Sequence, residues 1–317
     1  MLKWPGKCRR EIKAFELPLK QGNSLKRDSR ISIKLSQSRT QRGRTIIAKM
    51  NASEVALGIV LTSLSAALFT FVFAGFSLIS CCKRFTGLTW HIKLIAVQPT
   101  WMVRWFQKRV PNVLFIKSTQ KRIVALTIDD GPHRGITEEI LDILKQNGCR
   151  STFFIIGSNM DNSPELVRRI VAEGHEVGNH TMHDVASWSL SPDVFKKQLL
   201  EVDDRLKNYF ITDATQTPIK WFRPGHGFYT RKMIQIAKAS GYRTALGSLF
   251  PLDTLFSNMG KHIAKYLLWR VHPGAIIILH DREPQAKQTA EVLRILLPRL
   301  KACGYSVVTL SELDALR

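Results

Sequence analysis

Six residues at four points of the chain could do hydrolytic chemistry together. Asp129 and Asp130 stand side by side in Ile128-Asp129-Asp130-Gly131-Pro132. His180 and His183 share His180-Thr181-Met182-His183, Arg223 opens Arg223-Pro224-Gly225-His226-Gly227, and His280 precedes Asp281. Two imidazoles with one carboxylate are a frequent catalytic zinc set that leaves a position open for water. A metal so held lowers the pKa of that water towards about 7 and polarises a carbonyl. The second carboxylate is then free to act as general base, a separate histidine to protonate the leaving group, and a cation to keep the base ionised. Each group alone has a plainer reading. Asp, Gly and Pro are common in surface turns, and a lone H-x-x-H pair is a weak metal signal. Their shared placement gives the stronger signal.

That placement follows from the elements between them. Ile123 to Ile128 is short, apolar and β-branched, as a buried strand is. Gly131 and Pro132 end its regularity, so both carboxylates can aim into one mouth. Helical spacing over Ile136–Gln146, a strand over Ser151–Ile156, a helix from Pro164 to Ala172 with Ser163 as N-cap, and a short strand Glu176–Asn179 lead to His180. A helix from Ser191 to about Tyr209 precedes a strand at Ile219–Phe222, directly before Arg223. Helix Thr230–Ala239, strand Tyr242–Leu246, helix Gly260–Trp269 and strand Ala275–Leu279 bring the chain to His280. Helix Thr289–Ala302 and strand Ser306–Val308 complete the alternation, with Val113–Ile116 as a further strand ahead of the first motif. Strictly alternating elements predict an α/β fold with a mainly parallel sheet or barrel, whose sites lie at the C-terminal strand ends. All four motifs fall there.

The charge does not point to nucleic acid. The chain carries +22, but the first 121 residues hold 22 Lys and Arg against 4 acids, leaving 25 against 21 for the rest. A nucleic-acid-binding domain carries its basic patch on the folded body; here that body is nearly balanced. Residues 1–54 are predicted to be a basic disordered region, as a cytosolic tail or a transit peptide, unless the true start is Met50. Val55 to Cys82 is 28 residues without a charge, enough for a transmembrane helix. Residues 83–111 read as a juxtamembrane linker, in which Trp90, Trp101, Trp105 and Phe106 are interleaved with basic residues. The expectation is a single-pass membrane protein, with the side of its catalytic domain and its oligomeric state left open.

The motifs Thr127-Ile128-Asp129-Asp130-Gly131-Pro132, His180-Thr181-Met182-His183, Arg223-Pro224 with Gly227, and Leu279-His280-Asp281 resemble, in order and spacing, those of the NodB-homology polysaccharide deacetylases, carbohydrate esterase family 4. The resemblance spans 112–317. It implies a distorted (β/α) barrel and a divalent metal, zinc by preference, that serves removal of acetyl groups, usually N-acetyl, from a glycan. By position it implies Asp129 as base, His280 as acid, Arg223 as the partner of Asp129, and Asp130, His180 and His183 as metal ligands. His175, in the matching run before His180, reads as structural.

Two departures concern the substrate. The family's second proline and its aromatic are Gly225 and His226 here, which makes His226 and Gly227 candidate substrate contacts. In Leu249-Phe250-Pro251-Leu252-Asp253-Thr254-Leu255-Phe256 the usual Trp is missing, and Asp253 is the only carboxylate there to orient His280. The alternatives are a hydrolase of a non-glycan amide on the same barrel and a catalytically silent glycan-binding protein.

Overall fold

The computed structural model describes residues 98–209, 220–254, 257–282 and 286–316. The expected basic region, the expected membrane helix and the first part of the expected linker lie outside these residues. Among the described residues no helix is long and apolar enough to cross a membrane.

The strands are β1 (Val113–Leu114), β2 (Ile123–Asp129), β3 (Thr152–Ile155), β4 (Glu176–Asn179), β5 (Lys220–Phe222), β6 (Tyr242–Ala245), β7 (Ile276–His280) and β8 (Ser306–Val308). They form one sheet in the order β1-β6-β5-β4-β3-β2-β7, with β8 paired to β2. Every pairing is parallel. Parallel neighbours need long crossovers, which helices supply. These are α1 (Thr100–Arg109), α2 (Thr137–Asn147), α3 (Gly157–Asn162), α4 (Pro164–Ala172), α5 (Pro192–Lys207), α6 (Arg231–Ala239), α7 (Gly260–Arg270), α8 (Ala286–Ala302) and α9 (Leu310–Asp314). The segment after β6 is bonded to β7: the Ser248 and Leu249 amides both donate to the Ile276 carbonyl, and Leu249 bridges Ile277.

The alternation along β2 divides the core in two. Val124, Leu126 and Ile128 pack outward with Ile140, Leu141 and Leu144 of α2 and with leucines of α8. Ala125 faces the other way, among Phe154, Trp221, Ala245 and Ile276, beneath Leu310 and Leu313 of α9. Burying each of those two leucines contributes roughly 1.5–3 kcal/mol. At this N-terminal end of the strands Glu176 accepts hydrogen bonds from Thr152 Oγ1 (2.7 Å), Trp221 Nε1 (3.1 Å) and the Ser311 hydroxyl. Burial pushes its carboxyl pKa up, against the pull of those donors.

Two local expectations need correction, and two short helices were not foreseen. Ser163 precedes Pro164, but its side chain caps nothing; the cap geometry is found instead at Ser191, which accepts from the Val194 amide. Helix α1 forms inside the stretch read as linker. It is tied down by Gln107, whose Oε1 accepts from the Phe115 amide (2.8 Å) and whose Nε2 donates to the Val113 carbonyl (3.0 Å). The short helices α3 and α9 had no periodic signal of useful length.

Candidate active site

Register brings the first two groups together. β2 pairs with β7 so that Asp129 and His280 are direct partners, and on its other side Asp129 pairs with Phe154 of β3. Asp129 completes the strand. Asp130 then takes a left-handed conformation, φ 75°, which costs about 1–2 kcal/mol for a residue with a Cβ. Asn159 of α3 holds it there by donating to the Asp130 carbonyl at 2.8 Å. This reversal lets two consecutive carboxylates serve one site where regular pleating would send them to opposite faces.

Asp129 is 3 % exposed and Arg223, just past β5, is 2 % exposed. Arg223 Nη1 donates to Asp129 Oδ1 at 2.6 Å and to Thr127 Oγ1 at 2.7 Å; Nε and Nη2 donate to the carbonyls of Ala245 and Leu246. Its Cζ lies 4.1 Å over the Phe154 ring. Burial lowers the Arg223 pKa, and Asp129 opposes that shift. Gly178 makes room for this stack, because a Cβ there would meet the Phe154 ring at 2.6 Å.

His180 follows β4. Its Nδ1–H donates to the Arg223 carbonyl at 2.8 Å, which fixes the tautomer and aims Nε2 at Asp130 Oδ1, 3.4 Å away. A neutral ring in that tautomer presents a lone pair to a carboxylate oxygen. The contact is therefore satisfied by an imidazolium or by a cation between the two atoms. Burial opposes charge on both partners, yet their mutual attraction raises the His180 pKa and holds the Asp130 carboxyl far below the usual range. These two side chains fit a divalent ion. His183 does not join them: its side chain is exposed, and among the described residues no group of three His, Cys, Asp or Glu is placed to hold a metal ion.

His280 is oriented by Asp253, which is fully buried. The Asp253 carboxylate accepts from the His280 backbone amide at 3.0 Å and faces Nδ1 at 3.0 Å. Burial disfavours a charged ring, but Asp253, with Asp129 and Asp130 beyond it, raises the His280 pKa to about 9. Phe250 packs edge-on against the imidazole, ring centroids 5.7 Å apart. Gln288 of α8 donates to the Asp253 carbonyl (3.1 Å) and accepts from the Met259 amide (2.7 Å), fastening that loop. Nothing in the sequence singled Gln288 out.

The remaining candidates have definite places. Gly225 donates its amide to Ser187 Oγ at 2.8 Å, and a Cβ there would press into the Val185 carbonyl oxygen. Both facts exclude a proline. His226, φ 62°, sets Nε2 3.6 Å from Asp184 Oδ1; Gly227, φ 74°, follows in open space. His175 is buried and neutral: burial lowers its pKa to about 4, and its Nδ1 accepts from the Ser151 amide.

Sequence reasoning passed over Asp184 and Arg282, which pair at 2.9 Å beside Asp130. It also gave no role to Asp281, which is buried beneath the Gly131 turn, accepts from the Thr137 hydroxyl, and is raised by burial to about 7.

Comparison with known proteins shows which sequences and folds this chain is similar to. The polysaccharide deacetylase family model matches residues 116–245. A peptidoglycan-N-acetylglucosamine deacetylase of Bacillus cereus is 34 % identical over 218 residues, covering 68 % of this chain and 95 % of the relative. A chitooligosaccharide deacetylase of Bradyrhizobium is 32 % identical, covering 61 % and 90 %. The solved structure of a family 4 acetyl xylan esterase from Clostridium thermocellum, in complex with a cobalt ion, superposes with a TM-score of 0.54 at 33 % identity, covering 60 % and 89 %.

Proposed function

The chain belongs to the polysaccharide deacetylase family, hydrolases acting on carbon–nitrogen bonds other than peptide bonds, and from that premise we propose that it removes acetyl groups, N-acetyl foremost, from a carbohydrate polymer. The observation that carries the reading is the register pairing of Asp129 with His280, each with its own buried partner, Arg223 and Asp253. Asp129, hydrogen-bonded and oriented by Arg223, is the base that takes a proton from the attacking water. His280, charged and oriented through Nδ1 by Asp253, keeps Nε2 free to give a proton to the departing amine. Asp130 and His180 hold a divalent metal, zinc by preference, with a further ligand from the loop after His180, where the sequence offers His183. When bound, such an ion acidifies water and polarises the acetyl carbonyl. His226 and Gly227 contact the sugar.

The bonds from Ser248 and Leu249 to β7 support reading the sheet as a distorted (β/α) barrel of the NodB-homology type, comprising residues 112–317. We further propose that residues 55–82 anchor this domain in a membrane, preceded by the basic region 1–54 and joined by the linker 83–111. A non-glycan amide on the same barrel is a second reading, favoured by Phe250 against His280 where the family has its Trp loop. Acetate release from a panel of acetylated oligosaccharides, with and without a chelator, tests the first reading. Chelator-sensitive turnover of small amides alone would replace it with the second, and turnover of neither would leave a silent glycan binder.

A further inference from the structure

We infer that the third protein ligand of this metal centre is Asp184 and not His183. The inference rests on the metal reading above, and the loop after β4 carries it. Thr181 is left-handed, φ 68°, its amide held by Asn179 Oδ1 at 2.9 Å. The His183 carbonyl then accepts from Thr181 Oγ1 at 3.2 Å and from the Val185 amide at 2.8 Å. This tight turn leaves both neighbouring side chains exposed, but Asp184 reaches towards Asp130: its Oδ2 accepts from Arg282 Nη1 at 2.9 Å.

The same Arg282 nitrogen lies 3.6 Å from Asp130 Oδ2. Asp130 in turn turns its other oxygen to His180 Nε2 at 3.4 Å. A single cationic atom thus lies against two carboxylates from different loops, beside a buried imidazole whose tautomer is fixed. His226 stands on the far side of Asp184, 3.6 Å from its Oδ1. Positive charge is therefore favoured between Asp130 and Asp184. Carboxylate oxygen is an ordinary ligand of zinc and of harder divalent ions. Asp130, His180 and Asp184 do not converge on one point while Arg282 stands between the carboxylates; a guanidinium and a divalent ion are alternative counter-charges for the same oxygens, so Arg282 competes with the ion, and Asp184 closes on it as Arg282 gives way.

The test is titration of the chelator-stripped full-length chain, in mild detergent, with cobalt(II), followed by its visible absorption and by bound-metal analysis. Wild type should bind one ion. Asp184→Asn should lose affinity by ~100-fold or more, at or above the loss seen when even an outer partner is removed, and should change the cobalt spectrum. His183→Ala should bind within twofold of wild type. Arg282→Ala should bind several-fold more tightly, since the competing charge is gone. Melting temperatures establish that each variant is folded. Cobalt lost in His183→Ala, or held equally by Asp184→Asn and wild type, overturns the assignment while the metal reading stands. Weaker binding by Arg282→Ala overturns the argument from shared oxygens. A wild-type chain that binds no cobalt sinks the metal reading, and this inference with it.

Discussion

Asp129 and Asp130 differ by one position in sequence but answer to different neighbours. Asp129 faces Arg223, and Asp130 faces His180. Asp129→Asn should therefore cut kcat by ~10²–10⁴, the range for a general base, while bound metal is retained; metal lost there and kept in Asp130→Asn would reverse the two roles. His280 makes a second prediction, on pH. Its pKa is raised from 6.5 to about 9, and the acid form is the one that donates, so kcat should fall as pH rises through about 9. Asp253→Asn removes the anion that sustains this charge, and its alkaline limb should move to lower pH. An unmoved limb would mean that another group supplies the proton. The same shift makes a linked contribution to stability, complete below the unfolded pKa near 6.5 and lost as pH rises through about 9.

At the scale of elements, the loops after β4 and β5 constrain one another through Gly225. Gly225→Pro would both delete the amide that bonds Ser187 and drive a ring into Val185. It should cost about 2–3 kcal/mol, a fall in Tm of roughly 5–10 °C. Gly227→Ala meets no neighbour and should cost only the left-handed backbone, about 1–2 kcal/mol. Equal melting temperatures for the two variants would show that the loops are not coupled there. The main elements were legible because β2 is apolar from Ile123 to Ile128 but for Thr127 and α2 keeps amphipathic spacing. So was Asp253 beside His280, since that loop held no other carboxylate. The reach of Asp184 to Arg282 was not legible, because it depends on a left-handed Thr181, a conformation threonine seldom adopts. Helix α1 escaped for a different reason. Its aromatic and basic residues face outward, with Val103 alone buried, so no apolar stripe announced it.

For the whole molecule, the charge-free run 55–82 remains a proposal with a direct check. The full-length chain should stay in the membrane fraction through a carbonate wash. Leu68→Arg with Phe71→Arg should release much of it, at ~2.5–3.5 kcal/mol for each charge placed near the centre of a span. A wild-type chain already soluble in low salt would remove the anchor from the reading. The pairing of Asp129 with His280 has a different kind of consequence. The separation of base and acid is set by the hydrogen-bond ladder between two adjacent parallel strands, an interval of ~4.8 Å, and side-chain packing does not adjust it. Loop positions away from His180, Asp184 and Asp253, such as 185–190 and 225–228, can then diverge to admit new acyl donors without retuning the proton transfers. In evolutionary terms the sheet is the inherited gauge and the loops are the exchangeable fittings. Laboratory exchange of those loops should accordingly alter which substrate is accepted before it alters the pH dependence of turnover.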